Sequence, residues 1–372
     1  MMAFSRRFVL GVMVAAGLAG SALAADFAGA ELVAPTDRVV EKFEKFQWYE
    51  GTDLGLEGRG FEDTHTSYSR LAVRYKGEVT TSVWNHGLSA AGVTLRFVTD
   101  ATSISARWNS NAPMNHMAYS GSGGLDLYVR RGDGWDYAGV CIPTAKETVA
   151  NFRLQAFSDR DQPREHLMFL PLYSRVDYLQ IGVPEGAKIA AAPARYEDKK
   201  PVVFYGTSIT QGGCASRSGM AHPGILRRKL DLPVLNLGFS GSARCEPAMA
   251  ELLGEIDAEL YVLEPVSNMT PTMIDERVVP FVKQLRGLRP DTPILMVESP
   301  NKDARTNERY RASYDALVAQ GVTGLHYLPG ADLYGTTEEP TVDGAHPTDL
   351  GFYRMAESYE PVIRKLLPAG KD

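Results

Sequence analysis

The chain has 372 residues, of which 44% are hydrophobic and 23% are charged, and its formal net charge is −6. This composition is ordinary for a soluble globular protein and excludes disordered, collagen-like and membrane-bundle proteins. The 39 basic residues form no run and are outnumbered by 45 acidic residues, so the chain lacks the positive surface that a nucleic-acid backbone requires. At roughly 150 residues per domain, the length predicts two domains.

The first 24 residues have the three parts of a secretory signal peptide. Arg6 and Arg7 are basic, residues 8–18 are apolar, and Ala-Leu-Ala at 22–24 matches a small-residue cleavage site. A membrane anchor is the alternative, but Ala and Gly dominate this stretch and no basic stop-transfer pattern follows. Residues 5–10 also match a twin-arginine signal in part. We expect cleavage, export to the periplasm or the medium, and no stable membrane insertion afterwards.

In the first half of the chain, apolar residues alternate with polar ones in short runs. These runs lie at 71–75, 93–97, 104–108, 125–129 and 178–182. Turns rich in Gly, Asp, Asn and Ser separate them, which is typical of antiparallel strands with one buried face. The pattern predicts an antiparallel β-sandwich domain over residues 30–192, without a helix.

In the second half, the apolar runs are short and continuous. Five such runs, at 202–205, 234–237, 260–263, 294–297 and 324–328, indicate strands buried on both faces. Helices are expected between and after them, over 216–230, 246–255, 271–288, 307–320 and 349–367. The alternation predicts an α/β fold over 199–368, with a doubly wound parallel sheet of about five strands. A short linker containing Pro, over 187–200, favours two docked domains.

The three cysteines are Cys141, Cys214 and Cys245. They are too few for a disulfide framework and lack the spacing of a zinc site, so the sequence predicts no metal. Cys214 and Cys245 lie on loops that leave neighbouring strands, and an oxidising compartment would allow a bridge between them. The alternative is three small buried thiols.

Two polar blocks of the second half can supply a nucleophile and its base. Ser208 lies in Gly-Thr-Ser-Ile-Thr at 206–210, directly after the first parallel strand, where ligands bind in such sheets. Asp343 and His346 precede the last helix and are close enough in sequence to reach one site. Taken separately, each block has a plainer interpretation. Ser208 can cap a helix, and the Asp-Gly pair can form a turn beside a solvated histidine.

Two further blocks can stabilise negative charge on a substrate oxygen. Residues 236–241 read Asn-Leu-Gly-Phe-Ser-Gly and expose backbone N–H groups, whereas Asn268 places a carboxamide just past the third strand. Each block could also be a simple turn.

The four blocks follow strands of one sheet in the order Ser, Gly, Asn and Asp-x-x-His, and in this the sequence resembles the SGNH (GDSL-like) esterase and acylhydrolase superfamily. The resemblance covers residues 201–367 and implies a flavodoxin-like SGNH fold. It also implies that Ser208 is the nucleophile, His346 the general base and Asp343 its orienting partner. The N–H groups of Ser208 and Gly241 and the Asn268 side chain would form the oxyanion hole.

The sequence departs from the family pattern at two places. Thr207 stands where the first block usually has Asp, and Val-Ser-Asn-Met at 266–269 replaces G-x-N-D. The catalytic atoms are all present, so the departures bear on the hydrogen bonds around them. In the first half, Gly-Leu-Asp-Leu-Tyr at 124–128 is similar to the G-x-D-L-Y signature of β-rich domains that precede a subset of these hydrolases.

The resemblance implies an exported serine esterase that transfers an acyl group to water without a cofactor. The loops at 301–306 and 335–339 are polar and contain no apolar lid for a long acyl chain, so a small acyl ester, such as acetyl on a glycan, is the expected substrate. The alternatives are a lipase or acyl-thioesterase of the same fold, or an inactive carbohydrate-binding protein. In the last case Trp84, Trp108 and Trp135 would stack on sugars. The presence of every triad and oxyanion residue argues against an inactive protein.

Overall fold

The protein is represented by a computed structural model that describes residues 27, 30–36, 40, 43–152, 162–196, 198–335 and 339–368. The predicted signal peptide at 1–24 lies outside the described residues. Part of the loop expected at 335–339 also lies outside them. Among the described residues, no helix has both the length and the hydropathy needed to cross a membrane.

The first half consists of two antiparallel sheets. Their strands are β1 (Phe46–Glu50), β2 (Leu56–Glu57), β3 (Thr94–Thr99), β4 (Ser105–Asn109), β5 (Leu125–Arg131), β6 (Gly134–Cys141), β7 (Glu147–Asn151), β8 (Arg164–Phe169), β9 (Leu179–Pro184) and β10 (Ile189–Ala191). One sheet has the order β1-β9-β4-β7, and the other has the order β10-β3-β8-β5-β6 with β2 beside β3. Side chains of both sheets share one hydrophobic cluster, so the predicted β-sandwich is confirmed.

Two sequence expectations for the first half are wrong. Residues 71–75 do not form a strand. Val73–Tyr75 is a 3-10 turn, and the buried residues Leu71, Ala72 and Tyr75 follow a helical rather than an alternating spacing. The half also contains helices, α1 (Thr81–Gly87) and the single turn α2 (Tyr119–Ser122). Both are too short for the 11 to 18 residues over which helical periodicity can be recognised.

The second half contains a five-stranded parallel sheet. Its strands are β11 (Val202–Gly206), β12 (Val234–Gly238), β13 (Leu260–Glu264), β14 (Ile294–Val297) and β15 (Leu325–Leu328). Their order, β12-β11-β13-β14-β15, is the flavodoxin-like one, and all neighbours are parallel. The predicted doubly wound α/β fold is therefore confirmed.

Helices cover both faces of this sheet. They are α3 (Ser208–Gln211), α4 (His222–Leu230), α5 (Pro247–Glu255), α6 (Pro271–Leu288), α7 (Ala304–Ala319) and α8 (Asp349–Leu366). The helices α5, α6 and α7 contribute to one hydrophobic cluster and α4 and α8 to another, which is why the strands are apolar on both sides. The helix expected at 216–230 begins only at His222, because Pro223 occupies its first turn and Ser218–Met220 is a 3-10 turn.

The two halves are docked through buried polar contacts as well as apolar ones. Asp126, in the G-x-D-L-Y segment, is fully buried. It accepts hydrogen bonds from Arg217 Nη1 (2.7 Å) and from the Gly219 N–H (3.0 Å) of the second half, and from Tyr128 Oη (3.1 Å). Part of the expected linker is itself a strand, since β10 pairs with β3. The boundaries at 30–192 and 199–368 remain predictions.

This docking predicts that the halves unfold together. The four tryptophans, Trp48, Trp84, Trp108 and Trp135, all lie in the first half, whereas the longer helices lie in the second. Tryptophan fluorescence and circular dichroism at the helical minimum should therefore follow the two halves separately. We expect coincident transitions in a denaturant titration, because separating the halves would leave Asp126, Arg217 and the Gly219 N–H without the hydrogen bonds that join them. Two well-separated midpoints would contradict a single unfolding unit.

Candidate active site

The predicted nucleophile lies at the carboxyl end of β11, the second strand in the order of the parallel sheet. Thr207 is the N-cap of α3, and Ser208 is the first residue of that helix. The Thr207 hydroxyl accepts a hydrogen bond from the Ile209 N–H (3.3 Å), and the Thr207 N–H donates to Thr210 Oγ1 (3.0 Å). Thr207, which stands where the family pattern has Asp, thus supplies an oxygen that caps the helix. The departure leaves the local hydrogen bonds satisfied.

The residues Ser208, His346 and Asp343 form a continuous hydrogen-bonded relay. Ser208 Oγ lies 2.9 Å from His346 Nε2, and His346 Nδ1 lies 2.8 Å from Asp343 Oδ2. The other oxygen of Asp343 accepts the N–H groups of Ala345 (3.0 Å) and His346 (2.7 Å). Gly344 has a φ of +83°, which allows the tight turn that brings these groups together.

Hydrogen bonds keep Asp343 ionised. Partial burial by itself would raise the pKa of this carboxyl, but the donors from His346 and Ala345 outweigh it and lower the pKa to about 2. An ionised Asp343 can only accept, so it accepts a hydrogen bond from the Nδ1–H of His346 and holds the proton on that nitrogen. Nε2 is then left as the acceptor that faces Ser208 Oγ.

A second network anchors the loop that carries the base. The carbonyl of Ala345 accepts hydrogen bonds from Asn301 Nδ2 (3.3 Å) and from Tyr334 Oη (2.9 Å). Asn301 Oδ1 in turn accepts from the hydroxyls of Ser267 (3.0 Å) and Ser299 (2.5 Å). From the sequence, Asn301 was named only as part of the polar loop at 301–306, and Tyr334 was missed, because neither residue belongs to a motif.

The predicted oxyanion-hole loop lies against the turn that carries the nucleophile. The Phe239 N–H donates to the carbonyl of Gly206 (2.8 Å), and the Ser240 N–H donates to Gln211 Oε1 (3.0 Å). A Cβ atom at Gly238 would lie 2.2 Å from the backbone nitrogen of Gln211, so glycine is required for this close approach.

All three predicted oxyanion donors lie at this edge of the sheet. Asn268 Nδ2 donates to the carbonyl of Phe239 (3.2 Å), which places the carboxamide two residues from Gly241. Gly241 has a φ of +66°, and no atom lies within 4 Å of where its Cβ would be. Within the described part of the chain, the N–H groups of Ser208 and Gly241 have no hydrogen-bond partner. They are therefore available to a substrate oxygen.

Residues of the first half also lie beside the site. Tyr173 Oη donates to the carbonyl of Ser208 (3.3 Å), and the ring of His116 lies 6.0 Å from the ring of His346. Cys214 follows α3 and its thiol donates to the carbonyl of His116 (3.5 Å). Sequence reasoning missed Tyr173 and His116, since they lie on loops whose place depends on how the halves dock.

The possible bridge between Cys214 and Cys245 is not formed, because the two loops diverge to opposite faces of the sheet. Cys245 packs in the cluster beneath α5 and α6, whereas Ala215, next to Cys214, packs in the cluster beneath α4 and α8. All three cysteines are free and buried, as in the alternative of buried thiols.

The tryptophans do not form a sugar-stacking surface. Trp84 and Trp108 are buried in the hydrophobic clusters, and Trp135 is half-buried against the guanidinium of Arg130. This removes the observation that would have favoured a binding protein without activity.

Comparisons with known proteins agree with the geometry. The model of the GDSL-like lipase/acylhydrolase family matches residues 199–364, and the GxDLY model, the N-terminus of SGNH-hydrolase-type esterases, matches residues 46–189. Among curated proteins, none matches this chain.

Several solved structures are similar to this chain over most of their length. A GDSL-like lipase from Bacteroides ovatus is 32% identical, with a TM-score of 0.81, over 86% of this chain and 98% of its own. A salicylyl-acyltransferase from a tetracycline biosynthetic pathway is 17% identical, with a TM-score of 0.63, over 91% and 94% of the two chains. An acetyl xylan esterase from Butyrivibrio proteoclasticus is 11% identical, with a TM-score of 0.57, over 86% and 98%. The last two similarities concern the fold alone.

Proposed function

Since the chain belongs to the GDSL-like lipase/acylhydrolase family and is a serine hydrolase of ester bonds, we propose that it is exported and removes small acyl groups, above all acetyl groups, from glycans. The observation that carries the activity is the relay from Asp343 through His346 to Ser208, with free N–H groups beside it. Export rests on the signal-peptide pattern at 1–24.

The geometry supports a two-step acyl transfer. Ser208 Oγ attacks the ester carbonyl while His346 Nε2 takes the hydroxyl proton, and Asp343 stabilises the imidazolium that forms. The N–H groups of Ser208 and Gly241 and the Asn268 carboxamide stabilise the oxyanion. His346 then donates its proton to the leaving alcohol, and an acyl-enzyme remains. Water, deprotonated by His346, attacks the acyl-enzyme and releases the acid, and the proton returns to Ser208.

The small size of the acyl group is inferred from the surface around the triad. Binding a long chain requires contiguous apolar surface, at about 0.8 kcal/mol per buried methylene. Among the large hydrophobic side chains that are exposed in the described residues, only Val342 is a direct sequence neighbour of residues 343–346, which carry Asp343 and His346. The segment at 301–306, whose second half begins α7, contains Lys302, Asp303 and Arg305 but no run of apolar residues.

A cavity of the first half, with polar side chains in its wall, supports a glycan as the carrier of the ester. It has a volume of about 780 Å³ and its wall includes amide, charged and aromatic side chains, namely Asn109, Asn111, Tyr119, Lys146, Arg175 and Asp177. Asn111 Nδ2 donates to the carbonyl of Tyr173 (3.0 Å), whose hydroxyl donates to the carbonyl of Ser208 (3.3 Å). Sugar hydroxyls pair with groups of this kind. That proteins of the same fold include carbohydrate esterases supports this carrier by analogy.

Replacing either the nucleophile or the base should abolish turnover. Because serine and histidine act as a unit, Ser208→Ala and His346→Ala should each lower the kcat for an aryl acetate by about 1,000-fold or more. The exposed residues Ser67 and His65 provide matched controls, and Ser67→Ala and His65→Ala should keep wild-type rates. Near-normal turnover by a folded Ser208→Ala protein would refute the assignment.

Catalytic efficiency should fall along a series of aryl esters from acetyl to octanoyl. The rim of the site offers little apolar surface to the added methylenes, so they gain little binding while they crowd the oxyanion loop. The measurement is kcat/KM for each ester with one aryl leaving group. An efficiency that rises with chain length would move the assignment to a lipase or a long-chain thioesterase.

This cavity should bind the glycan that carries the ester, whereas the ester itself binds at Ser208. Arg175→Ala should raise KM for an acetylated xylo-oligosaccharide about tenfold, the loss of about 1.4 kcal/mol, with kcat/KM for an aryl acetate unchanged. Arg175 pairs with Asp177 at the surface (2.6 Å), and Arg131 pairs with Asp136 in the same way (3.0 Å) on the β5–β6 hairpin. Arg131→Ala is therefore the matched control. Equal effects of the two variants would exclude this cavity as the carrier site.

A further inference from the structure

Three metal-binding side chains converge beside the catalytic serine. One ligand atom each from His116, Cys214 and His346 lies within 4.8 Å of the others. His116 is exposed, His346 is half-buried and Cys214 is buried, so an ion from solvent can reach the cluster from the His116 side. The proposed mechanism uses neither His116 nor Cys214. Their distance in sequence from each other and from His346 explains why no metal motif is visible in the residue spacing.

We propose that His116, Cys214 and His346 form an inhibitory zinc site that stops the esterase by occupying its general base. The inference rests on the proposed role of His346 as that base. His346 Nδ1 is engaged by Asp343 (2.8 Å), so Nε2 is the nitrogen that faces the ion. Zn²⁺ accepts lone pairs from His346 Nε2, a His116 ring nitrogen and the Cys214 thiolate, whose proton passes to solvent. Water completes the four-coordinate ion.

The three ligand side chains, and the Asp343 carboxylate that holds one of them, suit a zinc ion. Two imidazoles and one thiolate with a fourth open position are ordinary zinc ligands. Bond lengths of about 2.0 to 2.3 Å require ligand atoms about 3.3 to 3.6 Å apart, so the cluster must contract by on the order of 1 Å. The exposed side chain of His116 can make most of that movement. Asp343 holds the other nitrogen of His346, which is the carboxylate–histidine–metal arrangement that orients and strengthens a histidine ligand.

Occupation of the site removes catalysis without altering the fold. The lone pair of His346 Nε2 that binds the ion is the one that accepts the Ser208 proton, so the two events exclude each other. The oxyanion donors do not contact the ion and remain in place. Inhibition is therefore reversible, and removing the ion restores the base.

The first test measures aryl acetate hydrolysis by the full exported chain with increasing ZnCl₂. The wild-type protein should lose activity and recover it with EDTA. His116→Asn and Cys214→Ser should keep basal turnover but need at least about tenfold more Zn²⁺ for half-inhibition, because each lacks one ligand. His65→Ala, which removes an exposed histidine elsewhere, should respond as the wild type does. Equal inhibition of all four proteins, or no inhibition of the wild type, would overturn the proposal.

A second measurement separates the zinc site from the esterase assignment. Titration calorimetry with ZnCl₂ should show binding to Ser208→Ala, which retains all three ligands but has no nucleophile. It should show binding weakened at least about tenfold in His116→Asn and in Cys214→Ser. Zn²⁺ binding that depends on both residues, together with a folded wild-type protein that hydrolyses no ester, would refute the proposed function and leave the zinc site standing. Binding that neither variant weakens would overturn the zinc site.

Discussion

The buried guanidinium of Arg70 is the contact on which the docking of the halves and the shape of the oxyanion loop depend. It is 1% exposed and donates to the carbonyls of Asn236 and Gly238 (2.8 Å each), at the end of β12. In the first half it donates to the carbonyls of Ser89 (3.0 Å) and His86 (2.6 Å). No described carboxylate pairs with it. Burial lowers the pKa of Arg70 to about 9, so it is charged at neutral pH and only backbone and hydroxyl dipoles offset its charge.

The hydrogen bonds of Arg70 hold in place the loop that is proposed to bind the oxyanion. The two carbonyls on Arg70 immediately precede residues 239–241, and the guanidinium also lies 5.0 Å from the centre of the Phe239 ring. Asn268 holds the carbonyl of the same Phe239 from the other side. Donors that are held before substrate arrives need no reorganisation when negative charge develops, which is where an oxyanion hole gains most of its effect. The first half therefore supports the chemistry although it contains none of the triad.

The sequence predicts most of the second half and less of the first, and the difference has a physical cause. A parallel strand covered on both faces is a continuous apolar run, and a long helix such as α6 shows several turns of periodicity, so both are visible locally. Residues 71–75 have an alternating pattern, yet Leu71, Ala72 and Tyr75 are buried in a cluster with the second half, and the last three residues form a 3-10 turn. The contacts among Ser208, His346 and Asp343 were predictable because each residue lies in an ordered motif. Tyr173, Tyr334 and His116 were not, because docking and loop packing bring them to the site.

The docking of the halves also links the cavity proposed to bind the glycan to the predicted nucleophile, Ser208. Asn111 forms part of the cavity wall and holds the backbone of Tyr173, whose hydroxyl reaches the backbone of the nucleophile. Asp126 also joins the two halves, because its contacts with Arg217 and Gly219 link β5 to the segment between α3 and α4. Gly219 has no room for a side chain there, since a Cβ atom would lie 2.8 Å from Asp126 Oδ2. Under the proposed function, a glycan in the cavity and an ester at Ser208 would contact segments that these hydrogen bonds join, so binding of the carrier would position the ester for attack.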